Sequence, residues 1–171
     1  LSDALPVLPA SVPDDNEEWI ALGRDVVGRY PLRPDPGYEQ LAGIEGGLER
    51  AGFFTRPDGS WVGLALFQDE GGRTRIGPTC GQCHCSTGPY GIPSPAVANK
   101  AMDLGAARLL ILGMDPDERP EGIEGTSLER HYDLGPGRAD VLADGVFNPF
   151  AFPDLGGLAD MPYLQHNANW I

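Results

Sequence analysis

Two thiols and an imidazole fall within five residues in Cys80-Gly81-Gln82-Cys83-His84. A Cys-x-x-Cys pair followed directly by histidine has the spacing of a covalent haem attachment site. Each sulfur adds to one porphyrin vinyl group, and the imidazole sits under the iron as its proximal ligand. No other stretch of the chain is as specific.

The same residues admit two other chemistries. A thioredoxin-like dithiol needs the motif between a strand and a helix of a βαβ unit, whereas here Pro78 and Thr79 precede it and a Pro/Gly-rich loop, 87–95, follows. A zinc site could use Cys80, Cys83 and either His84 or Cys85, but structural zinc usually takes two separated ligand pairs. There is no cysteine outside this cluster, so only His131 and His166 could complete such a set. Cys85 is left over once both thioether positions are taken. It reads as a small buried hydrophobe, or else as an exposed thiol open to intermolecular pairing.

Around this motif the chain is acidic, with a net charge of −13 over 171 residues. Such a surface repels nucleic acid and anionic lipid and would steer a basic partner by long-range attraction. Its 24 glycines and 17 prolines punctuate apolar segments rather than forming a tract, which predicts long ordered loops around few regular elements. No apolar run reaches the 18 residues that a membrane-spanning helix requires. Thioether-bound haem is normally assembled outside the cytoplasm, so a removed leader and a periplasmic or otherwise extracytoplasmic location are expected.

The elements that must position the motif read as follows. Asp14, Asp15 and Asn16 start a helix with Glu17 and Glu18 in its first turn. Trp19, Ile20, Gly23, Val26, Val27 and Tyr30 recur on one face until Pro31 ends it. A second helix is predicted from Tyr38 to Ala51, weakened by glycines at 43, 46 and 47. Residues 53–77 carry two turn signals around a run of strand formers, Trp61 to Phe67, and predict a small β-meander ending before the motif. Beyond the loop, Asn99 would cap a helix to Leu112 with Met102, Ala106, Leu109 and Leu110 inward. Residues 115–125 read as an acidic surface loop; Arg119 and Pro120 spoil the pattern of a calcium loop. The tail from Gly135 onward reads as mostly irregular, with one helical turn near residues 163–167.

An N-terminal helix, a Cys-x-x-Cys-His loop and a later helix resemble the cytochrome c fold. A nearer likeness is to the larger bacterial cytochrome c proteins that include di-haem peroxidases and the rubber-oxygenase-like group. It is carried by residues 98–105 (ANKAMDLG) and 135–140 (GPGRAD), then Asn148-Pro149 and Pro153-Asp154-Leu155. The resemblance implies a mainly α fold with long loops and a small β-meander, a cytochrome c-like haem domain with an N-terminal insertion. One domain would span 1–171, with 1–15 as a loose arm and 53–77 as the β insertion. Members of that group often carry a second Cys-x-x-Cys-His, which is missing here. The chain is then expected to be a single-haem relative or the N-terminal haem domain of a longer protein.

The implied cofactor is one covalent haem c on Cys80 and Cys83, with His84 as proximal ligand. Its use turns on the far side of the iron, where methionine or histidine favours electron transfer and an open position permits peroxide or oxygen chemistry. Met161 is the first choice, because Met161-Pro162 resembles the Met-Pro that often carries the distal ligand in cytochromes c; His166 is the runner-up. Met102 reads as core, Met114 as a weaker candidate and His131 as a solvated surface histidine. Arg138 could pair with a haem propionate through its guanidinium fork, while Trp61 reads better as core than as a second propionate donor. The leading expectation is electron transfer to a redox partner with a basic docking surface. A haem peroxidase or oxygenase domain is the alternative, and a zinc or redox-dithiol module a minor one.

Overall fold

Asp15 starts the first helix as the sequence predicts: its carboxylate accepts the Glu18 N–H at 2.9 Å, and α1 runs Asn16–Arg29 with Tyr30 as its C-cap. The structure, a computed structural model, describes residues 11–88, 92–140 and 146–155. The apolar face of α1 does not enter the core. None of its residues is buried, and Trp19 and Ile20 are each about half exposed.

The second predicted helix is two. α2 (Pro36–Ala42), capped by Asp35, and α3 (Gly47–Arg50) are separated by a turn through Gly43–Gly46. Gly46 adopts φ +64°, a left-handed conformation that no helix continues through. Leu41, Leu48 and Ala51 from this pair enter the core beside Phe53.

Instead of a meander, residues 53–77 contribute one hairpin and an isolated bridge between Thr55 and Trp61. β1 (Leu64–Gln68) pairs antiparallel with β2 (Thr74–Pro78), Leu66 opposite Ile76. Gly63, at φ +87°, breaks the apolar run that begins at Trp61, so only its second half can join the ladder. The chain before α2 then runs alongside β2, with the Leu32 and Asp35 N–H groups donating to the Pro78 and Ile76 carbonyls. Arg75 ties the hairpin to α2, its Nε 2.5 Å from Glu39 Oε1, while Nη1 lies 3.4 Å from Asp69.

A four-residue turn of helix, α4 (Gly81–His84), follows β2 and leads into β3 (Cys85–Thr87), which pairs antiparallel with β4 (Pro93–Pro95). Asn99 does not cap the next helix. That helix, α5 (Leu104–Ile111), is capped by Asp103, whose carboxylate accepts the Ala106 N–H at 2.8 Å. Gly105, Ala106, Ala107, Leu109 and Leu110 of α5 are buried, and Met102 just before it is fully so. A further helix, α6 (Ser127–Leu134), packs on α5. The short pair β5 (Arg138–Ala139) and β6 (Phe150–Ala151) completes a mixed architecture of helices and small antiparallel sheets. No helix among the described residues is long and apolar enough to cross a membrane.

Candidate functional site

On a single helical turn, residues i, i+3 and i+4 share a face. Cys80, at the start of α4, therefore presents the same side as Cys83 and His84, and the His84 N–H closes the turn on the Cys80 carbonyl at 3.1 Å. Gln82 points the other way. It is buried, and its amide donates to the hydroxyl of Tyr38, whose ring meets Phe53 edge-on at 5.6 Å. Burial pushes the Tyr38 phenol up to about 12, so it stays protonated at neutral pH.

The turn is seated by glycines. A side chain on Gly63 would stand 2.5 Å from the Gln82 Cα, so β1 approaches the motif backbone as only glycine allows; the Gly63 carbonyl accepts the Thr79 N–H at 2.9 Å. On the opposite side Gly81 lies under the Val27 carbonyl of α1, where a Cβ would be 3.2 Å from the oxygen.

The carbonyls at the end of α4 have lost their helical partners, and one distant segment supplies new ones. Asn99, itself buried, donates from Nδ2 to the Gln82 carbonyl (3.0 Å) and from its backbone to that of Cys83 (2.9 Å). The Ala96 N–H donates to the His84 carbonyl at 2.9 Å. Ala96 has φ +67°, the only non-glycine among the described residues in the left-handed region. Such strain costs about 1–3 kcal/mol and gathers where surrounding structure fixes a functional segment.

The imidazole is oriented by the tail. His84 Nδ1 lies 3.1 Å from the Pro153 carbonyl, which can only accept, so Nδ1 carries the proton and the lone pair is left on Nε2. Pro153 is fixed from both sides: Phe152 N–H donates to the Gly137 carbonyl, Asp154 Oδ1 accepts from Ala98 N–H, and Leu155 N–H donates to the Ala96 carbonyl. Nε2 makes no hydrogen bond among the described residues.

Both motif thiols are free and half-buried. Burial, and secondarily the neighbouring Cys80, pushes the Cys83 thiol up to about 12. A redox dithiol of the thioredoxin kind sits between a strand and a helix of a βαβ unit. The motif does follow a strand, but that strand is half of an antiparallel hairpin and α4 leads into another antiparallel pair, so no βαβ unit encloses it. No three His, Cys, Asp or Glu among the described residues converge as a metal-holding group. Cys85 is buried, and burial raises its thiol too, which suits an inert core residue.

The remaining candidates separate. Met102 and Trp61 belong to the core and its margin, as expected. Met161 and His166, the two distal-ligand candidates, lie outside the described residues. Arg138 is exposed on β5, directly opposite Ala151 and so two residues from Pro153 in register. His131 corrects the expectation of a solvated histidine: it is half-buried on α6, and burial, with the nearby charge of Arg108, lowers its pKa. Asp115 Oδ1 accepts from Arg50 at 2.5 Å and from the Asp117 N–H.

The sequence reading passed over Asn99 as a cap for the motif and α6 as a helix. The second had a signal in Thr126-x-x-Glu129. Thr126 Oγ1 accepts from the Glu129 N–H, as in a capping box, while the Glu129 carboxylate reaches one residue further back, to the Gly125 N–H. Comparison with protein-family models, curated proteins and solved structures returns no match for the chain.

Proposed function

We propose that this chain carries one haem c, bound through Cys80 and Cys83 with His84 as proximal ligand, and that it transfers electrons. The observation that carries this reading is the His84–Pro153 hydrogen bond. Metal-bound imidazoles characteristically donate their second N–H to a carbonyl or carboxylate, which fixes the tautomer and raises ligand basicity. An imidazole with its Nε2 lone pair left over, on the same helical face as two free thiols, is the donor set this attachment requires. Zinc is less well served, since no three His, Cys, Asp or Glu side chains among the described residues converge as a metal-holding group. A thioredoxin-like dithiol is less well served too, since the motif lies between two antiparallel pairs and no βαβ unit encloses it.

Bound there, the group supplies a one-electron iron couple. The protein's part is to hold the imidazole through Pro153 and to lock the turn through Asn99 and Ala96. Met161, or failing it His166, is the proposed distal ligand, and Arg138 the proposed partner of a propionate. The surface charge of −13 suits docking to a basic redox protein, and the attachment chemistry suits an extracytoplasmic site.

Ligand-binding kinetics separate this reading from a peroxidase or oxygenase. The reduced protein is expected to be six-coordinate and low-spin, to take up carbon monoxide slowly, and to leave peroxide unconsumed in the presence of a small electron donor. Rapid carbon monoxide binding at full occupancy, with stoichiometric peroxide turnover, would replace electron transfer by the enzymatic function.

A further inference from the structure

Behind the motif, between Tyr38 and α5, lies a cavity of about 740 Å³, a size typical of sites for small organic ligands. One wall is apolar, built by Leu104, Ala107 and Ile111 of α5, and it opens to solvent beside exposed Leu32 and Leu112. A porphyrin gripped by Cys80, Cys83 and His84 would border all three of them. Of those three, the cavity's described lining includes only Cys83, which sets it beside the proposed cofactor.

Its polar groups leave a specific charge. Arg108 lines the cavity and forms no ion pair with any described residue, while Arg33 is loosely paired with Asp35 at 3.6 Å. His131, also on the wall, has its pKa lowered by burial and by Arg108, and so is neutral near pH 7. Two guanidinium groups against one carboxylate amount to a single uncompensated positive charge, centred on Arg108.

We propose that this cavity binds a small apolar monocarboxylate, its head on the Arg108 fork and its body against Leu104, Ala107 and Ile111. A guanidinium pairs with a carboxylate bidentately, and one net charge suits a monoanion better than a phosphate. The site stands on the cavity and does not require the haem reading.

Calorimetric titration of the purified full chain with naphthalene-1-carboxylate, and with naphthalene-1-methanol as neutral isostere, tests it. Saturable one-to-one binding of the acid is expected, with the alcohol at least about tenfold weaker. Arg108→Gln should weaken the acid by about ten- to a hundredfold, the range for a charge-assisted hydrogen bond, and leave the alcohol unchanged. Ile111→Trp, which fills the space along the apolar wall, should abolish both while helical circular dichroism and covalent haem content stay at wild-type levels. Equal binding of acid and alcohol, no binding of either at millimolar concentration, or indifference to Arg108→Gln would each overturn the proposal. So would loss of covalent haem from a folded Ile111→Trp protein, which would make the cavity the cofactor's own.

Discussion

α1 and α5 both begin on an aspartate cap and both carry apolar residues at helical spacing, yet they do opposite work. α5 is eight residues long and buries five of them; α1 is fourteen and buries none. The shorter helix holds the core beneath the motif, while the longer one meets the motif only at its last turns, where the Val27 carbonyl faces Gly81. Periodicity therefore establishes that a helix has an apolar side. Whether that side finds a partner depends on chain segments far away in sequence.

Substitutions can sharpen the contrast. The largest effect is expected at the contact that seats the motif: Gly63→Ala imposes both a positive φ and a clash with the Gln82 backbone. It should cost about 2–5 kcal/mol in urea unfolding. Leu109→Ala, on the buried side of α5, should cost a similar 2–5 kcal/mol or so through the cavity it leaves. Ile20→Ala, on α1, should fall within about 0.5 kcal/mol of wild type; equal losses at Leu109 and Ile20 would erase the distinction drawn here. The caps give a smaller version of the same test. Asp103→Ala removes the bond to Ala106 N–H at a helix the core depends on and should cost about 1–2 kcal/mol. Asp15→Ala should sit near the lower end of the cap range, about 0.5 kcal/mol.

The smallest effect belongs to the acid limb of stability. The Glu39 carboxyl is held below its ordinary pKa chiefly by its hydrogen bond with Arg75, and Asp69 chiefly by the Arg73 N–H. Groups with depressed folded-state values stabilise the fold above their unfolded pKa values, near about 4, and lose that contribution as pH falls. The urea midpoint should therefore drop on acidification from about pH 5 to pH 3. Asp69→Asn should flatten part of that drop; an unchanged slope would show that the hairpin network does not set it.

Much of this was legible in the residues. The Asp15 start and Tyr30 end of α1, the inward set Met102, Ala106, Leu109 and Leu110, and the proximity of a hairpin to the motif all follow from local chemistry, because caps, turns and periodicity act over a few residues. The rest did not, for a common reason. Asn99 looks like a cap for its own helix, and only the folded chain shows its amide reaching Gln82, seventeen residues back. The Pro153 carbonyl meets His84 across 69 residues, and no pattern along the chain marks a backbone acceptor. His131 reads as surface from its charged neighbours, but α6 turns it against α5. The donor types of the motif stand in five letters; the contacts that orient His84 do not.

The most direct test is the alkaline pyridine spectrum of the denatured protein, purified from cells that attach haem covalently, read beside the polypeptide mass. One haem per chain should remain with the polypeptide after acid–acetone extraction, adding the mass of a single haem and leaving Cys85 as the one alkylatable thiol. A colourless polypeptide of unmodified mass, with Cys80 and Cys83 both open to alkylation, would contradict the account at its root.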